Sequence, residues 1–139
     1  MEKIRILLVD DHAAVREGLK ALINTQPDMV VIGEAADGQS AWEQAIALNP
    51  DVVVMDLALP RLNGIEATER LKRQRPEIRV VGLSFHDGRT FVRRLFEAGA
   101  SGYVIKRARA DELIRAIQSV AGGGTYLDPE VAPTGAGIS

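Results

Sequence analysis

Five short, β-branched apolar runs, each followed by a stretch with helical spacing, limit this chain to a small set of folds. The runs are Ile4–Asp10, Val30–Ala36, Asp51–Asp56, Ile78–Ser84 and Gly102–Ile105. Nearly continuous apolar strands suit a parallel sheet covered on both faces. Between them, Val15, Leu19, Leu22 and Ile23 recur as one buried helical stripe, and Leu113, Ile117, Val120 and Ala121 repeat the pattern near the end. The other helices are predicted over 39–48 (ended by Asn49-Pro50), 64–73 and 89–98, with Gly99 as a C-terminal cap. Five βα units with right-handed crossovers predict an α/β fold. It is a doubly wound, five-stranded parallel sheet of order 2-1-3-4-5, the flavodoxin-like (βα)5 arrangement.

With 139 residues, 46% of them hydrophobic, the chain can build one domain around one core. A net charge of −2 argues against a dedicated nucleic-acid binder, and the absence of cysteine rules out disulfide scaffolds and thiolate metal sites. Neither a membrane-length apolar run nor a signal-peptide layout is present, so a cytoplasmic protein without membrane contact is expected. The glycine run from Gly122 marks a change of character: 1–122 reads as the domain, and 123–139 as a linker or tail.

Ligands in such sheets bind at the carboxyl ends of the strands, where the strand order reverses. Here that point lies between the first and third strands. Asp10 and Asp11 close the first, and Asp56 closes the third. One aspartate alone reads as a helix cap or strand end, and Asp11 could cap the first helix. Three together repel one another unless a hard cation intervenes, and Mg²⁺ commonly joins carboxylates to a phosphate. Ser84, closing the fourth strand, adds a hydroxyl. Lys106, following the fifth, adds an ammonium. With the cation, they form a set complementary to the three oxygens of a phosphoryl group.

The segments Leu8-Val9-Asp10-Asp11-His12, Val54-Met55-Asp56-Leu57-Ala58-Leu59-Pro60, Leu83-Ser84 and Gly102-Tyr103-Val104-Ile105-Lys106 resemble the receiver domain of two-component response regulators. The loop from Pro60 to Thr68 and the tail from Gly124 to Ala132 are similar to the NarL/FixJ (LuxR-type) branch. The resemblance implies a signalling switch that takes a phosphoryl group on Asp56 from a histidine kinase. It implies Mg²⁺ held by Asp10, Asp11, Asp56 and the Ala58 carbonyl, and Lys106 and Ser84 as contacts to the phosphoryl group. Tyr103 would repack in response. It further implies a homodimer on phosphorylation, and DNA contact only through a C-terminal helix-turn-helix domain beyond this chain. Phe85, Arg107 and Ala58 stand where many members carry a smaller residue, a proline and a polar side chain.

Two other classes compete with the switch. A phosphohydrolase of the haloacid dehalogenase type would place a second aspartate two residues after the nucleophile, where this chain has Ala58. A scaffold that is never phosphorylated would not need the acid, hydroxyl and lysine set. His86 reads as a solvated loop residue, His12 as a helix start, and Trp42 as a partly buried packing residue.

Overall fold

The computed structural model describes residues 2–58, 63–84, 89–105 and 110–128, with the side chains of 89–91 and 110 left aside. Lys106, Phe85, His86, Arg107 and the loop 59–62 lie outside the described residues. The elements alternate along the chain. They run β1 (Ile4–Val9), α1 (Ala13–Asn24), β2 (Met29–Ala35), α2 (Gly38–Leu48), β3 (Val52–Asp56) and α3 (Gly64–Gln74). Then come β4 (Arg79–Ser84), α4 (Arg89–Glu97), β5 (Gly102–Ile105), α5 (Ala110–Ala121) and β6 (Tyr126–Leu127). All pairings are parallel, in the order β2-β1-β3-β4-β5-β6. The expected order of the first five strands is borne out.

The sixth strand corrects the five-stranded expectation; it lies within the stretch 123–139 read as linker or tail. Tyr126 and Leu127 pair with Gly102 and Tyr103 at the open edge of β5. Two residues between Thr125 and Asp128 carry no strand signal of their own; the pairing comes from the unsatisfied backbone of β5.

Alternation is concealed inside the apolar runs. Ile6, Leu8, Val52, Val54, Val81 and Val104 point to one face, with Ile23 of α1 and Leu113, Ala116, Ile117 and Val120 of α5. Leu7, Val9, Val53, Met55, Val80, Tyr103 and Ile105 point to the other, with Ala41 and Ala45 of α2, Leu71 of α3 and Leu95 of α4. Both faces are dry, so both parities are apolar. The α1 stripe needs correcting: Ile23 is buried, but Val15, Leu19 and Leu22 are only half-buried, since α1 lies over the β1–β2 margin of the sheet. Ala121, the last residue of α5, is exposed.

Local signals set the helix ends. Asp37 accepts from the Ser40 amide at 2.7 Å and caps α2. Asn49 leaves that helix in a left-handed conformation, φ 49°, with its N–H on the Ala45 carbonyl. Asn63 caps α3, accepting from the Glu66 amide at 2.9 Å while its amide group donates to the Glu66 carboxylate at 2.7 Å. The α4 terminus is a Schellman turn: Gly99 N–H reaches Phe96 O at 3.0 Å and Ala100 N–H reaches Leu95 O at 3.2 Å. Gly99 sits at φ +111°, as a residue in that place must. Lys72 crosses beneath it and donates to the Pro76 and Ile78 carbonyls at 2.5 and 2.8 Å. Burial pulls the Lys72 ammonium below the usual lysine value. Trp42 of α2 is half-buried, as expected, with the Arg70 guanidinium of α3 4.4 Å from its ring centroid.

Candidate functional site

The site grows out of the carboxyl edge of the sheet. In the ladder between β1 and β3, Val9 stands opposite Met55. One residue further along each strand come Asp10 and Asp56, both buried. Strand β1 is flanked by β2 on one side and β3 on the other, so the two acids meet where the order reverses. Asp10 continues the ladder, its N–H on the Ala35 carbonyl at 3.1 Å. Asp56 is the last residue of β3, and its Oδ1 accepts from the Ala58 amide at 3.0 Å, which closes a tight turn over the carboxylate.

Asp11 stands just past the strand, more exposed. Ligand atoms of Asp10, Asp11, His12 and Asp56 all lie within 4.8 Å of one another. The three carboxylates expected to meet do so, and His12 joins them. His12, not Asp11, occupies the N-cap of α1, but its ring caps nothing. Its Nδ1 lies 3.3 Å from Asp10 Oδ1 and 3.2 Å from Asp11 Oδ1, with the side chain 63% exposed. Its amide donates to the same Asp10 Oδ1 at 2.8 Å. A hard-oxygen donor set of this kind fits a small divalent cation.

Ser84 closes β4, buried, one step beyond the Asp56–Leu83 pair and opposite Ile105. It therefore shares the edge with the acids, as expected. Lys106 follows Ile105 in sequence but lies outside the described residues. Tyr103 is fully buried in the layer under α4.

Sequence reasoning missed Arg16. One turn into α1, it donates from Nη1 to the Asp10 carbonyl at 2.6 Å, while Nε reaches Glu34 Oε1 at 3.3 Å. Lys20 reaches the other Glu34 oxygen at 3.1 Å. The Lys20 hydrogen bond, with help from Arg16 and against the opposing effect of burial, holds the Glu34 carboxyl below its usual range. Arg16 thus ties the carrier of Asp10 to both α1 and β2. Finding it from the sequence would require the rotation of α1 about its axis, which a half-buried stripe does not fix.

Comparison with known proteins gives a consistent result. The sequence profile of the response regulator receiver domain matches residues 6–118. The chain is 42% identical over 129 residues to the transcriptional regulatory protein DegU of Brevibacillus brevis, covering 93% of this chain and 55% of DegU. It is 43% identical over 129 residues to the transcriptional regulatory protein MctR of Rhizobium johnstonii, covering 93% and 60%. The chain therefore spans little more than half the length of these relatives. A solved two-component response regulator of the LuxR family from Aurantimonas sp. SI85-9A1 superposes with a TM-score of 0.94 at 41% identity, covering 98% of this chain and 97% of that one. With the strand order, the acid edge and these matches in agreement, the chain belongs to the response regulator receiver domain family, on its NarL/LuxR-type branch.

Proposed function

We propose that this receiver domain is switched by phosphorylation at Asp56, with Mg²⁺ held by Asp10, Asp11, Asp56 and the Ala58 carbonyl. One observation carries the reading: a buried aspartate at a strand end, with two further carboxylates within 4.8 Å at the switch point of the sheet. When bound, the cation neutralises the acid cluster and the charge on the incoming phosphoryl oxygens. An Asp56 carboxylate oxygen forms the new O–P bond as the P–N bond of a phosphohistidine on the kinase breaks. The released imidazole nitrogen takes a proton from solvent.

The residues of the chain position the reactants. The Ala58 amide fixes the plane of the Asp56 carboxylate. Arg16 and the Ala35 carbonyl hold the backbone that carries Asp10. Ser84 and Lys106 bond the phosphoryl oxygens, and Tyr103 repacks as they close. Phosphorylation strengthens self-association, and the change passes to an output domain that contacts DNA, in keeping with the transcriptional regulators that the chain resembles. The chemistry is confined to taking and losing one phosphoryl group, in the cytoplasm; among the described residues no helix is long and apolar enough to cross a membrane.

The test is intact-protein mass after incubation with Mg²⁺ and a small phosphodonor. The parent chain gains one phosphoryl group and Asp56→Asn gains none. Labelling of Asp56→Asn to the same stoichiometry overturns the assignment.

A further inference from the structure

Asp128 is a buried carboxylate outside the acid cluster, only 1% exposed. It follows β6 directly, in a segment whose sequence reads as linker. Two hydrogen bonds bind it to β5. Its N–H donates to the Tyr103 carbonyl at 2.9 Å, and its Oδ2 accepts from the Ile105 N–H at 3.0 Å. The second bond is unusual in kind. A parallel neighbour strand would offer a backbone carbonyl to Ile105, but β6 ends at Leu127, and a side-chain carboxylate takes that place.

Its position gives this bond a consequence. Ile105 is the last residue of β5, paired on its other side with Ser84, and Lys106 is the next residue in the chain. The end of β5 at Ile105 is thus gripped from one side by the strand bearing Ser84 and from the other by Asp128.

We infer that Asp128 is a positioning residue that fixes the end of β5 for phosphoryl contact and couples that contact to β6. The inference rests on the reading of Asp56 as the acceptor. A carboxylate that holds Ile105 fixes the end of β5, the residue before Lys106 in the sequence, and leaves the acids on β1 and β3 untouched. Removing it therefore weakens the hold on the phosphoryl group and spares the hold on the cation. By linkage, occupancy at Asp56 tightens the Asp128 bond in return.

The experiment measures two affinities on the whole chain: Mg²⁺ alone, and beryllium trifluoride, a phosphoryl analogue, at saturating Mg²⁺. In Asp128→Ala, beryllium trifluoride affinity falls by about three- to tenfold, the range expected for loss of one net hydrogen bond. Mg²⁺ affinity stays within about twofold. Asp128→Asn, which keeps an acceptor oxygen, restores most of the loss. Amide exchange on the unaltered chain gives a second readout that needs no variant: beryllium trifluoride with Mg²⁺ slows the Ile105 and Asp128 amides relative to Mg²⁺ alone. A parallel loss of both affinities in Asp128→Ala assigns Asp128 a purely structural role and overturns the inference. So does unchanged beryllium trifluoride affinity, or exchange at Ile105 and Asp128 that is indifferent to the analogue. Failure of the unaltered chain to bind the analogue removes the acceptor reading itself, and the inference with it.

Discussion

The first residue of α3 touches the backbone of the residue proposed to be phosphorylated: a Cβ on Gly64 would stand 2.5 Å from the Asp56 carbonyl oxygen and 2.7 Å from the Leu57 Cα. The Gly64 N–H points to the Leu57 carbonyl at 3.3 Å, so helix and strand end close on each other with no side chain between them. Backbone atoms cannot swing aside as a long side chain would. Gly64→Ala is therefore expected to destabilise the fold by about 1–3 kcal/mol through overpacking, and to slow phosphorylation by shifting Asp56. Gly18, in α1 with open space around it, is the control. Gly18→Ala should stabilise by about 0.5–1 kcal/mol. Denaturant unfolding of the two variants, with phosphorylation followed in parallel, separates the close approach from a general dislike of Gly→Ala.

Asp11→Ala should weaken Mg²⁺ binding more than any other single change that leaves the core alone, because Asp11 is the accessible member of the cluster. His12→Ala should act in the opposite direction. Its ring lies against Asp10 Oδ1 and Asp11 Oδ1, oxygens of two carboxylates proposed to hold the cation, and the substitution removes the ring while keeping the amide bond to Asp10. Removing the ring contacts should raise Mg²⁺ affinity about two- to fivefold, the scale of one net hydrogen bond. Titration followed by NMR decides both, and shifts remote from residues 10, 11 and 56 would count against the site.

Glu34 makes stability depend on acid. Its carboxyl is held below the ordinary value of 4.5, chiefly by the Lys20 hydrogen bond. A depressed folded-state value means the stabilisation is present above the unfolded value and is lost as pH falls through the folded one. The parent should therefore exceed Glu34→Gln in urea midpoint near neutrality, with the gap closing below about pH 4.5. A gap of constant size across that range would show that the pair is not proton-linked.

Gly99→Ala probes a different constraint. At φ +111° a side chain is strained, and its Cβ would also meet the Lys72 Cγ at 2.9 Å. The expected cost is about 1–2 kcal/mol in unfolding free energy. Lys72→Met, which keeps the stem and loses the donors, should be destabilising as well, since the Pro76 and Ile78 carbonyls lose their partner.

Self-association reads the switch at its output. Sedimentation across a concentration series should show the beryllium trifluoride form dimerising more strongly than the free form. Equal association in the two states rules out dimerisation as the output.

Much of this is legible in the residues themselves. Apolar runs such as Leu7-Leu8-Val9 and Val52-Val53-Val54 announce strands buried on both faces. Asp10, Asp11 and Asp56 announce the site, because strand ends in a doubly wound sheet converge. Other features were out of reach for definite reasons. Tyr126 and Leu127 form a strand only because β5 offers an open edge, so the signal lies 24 residues earlier, in Gly102 and Tyr103. The contact of Gly64 with Asp56 depends on the path of the chain between them. The grips of Arg16 on Asp10 and of His12 on both acids depend on how α1 is turned, and a stripe of Val15, Leu19 and Leu22 that is only half-buried sets that turn loosely.

The short sixth strand also bears on solubility. An unpaired apolar strand at the side of a sheet invites pairing with another chain. Without Tyr126–Leu127, the side of β5 would be such a strand, Gly102-Tyr103-Val104-Ile105, uncharged and without proline. With them in place, that side of the sheet offers a two-residue strand outward. A domain trimmed at Gly122 would lose this cover, and it should aggregate where one ending beyond Asp128 stays dispersed.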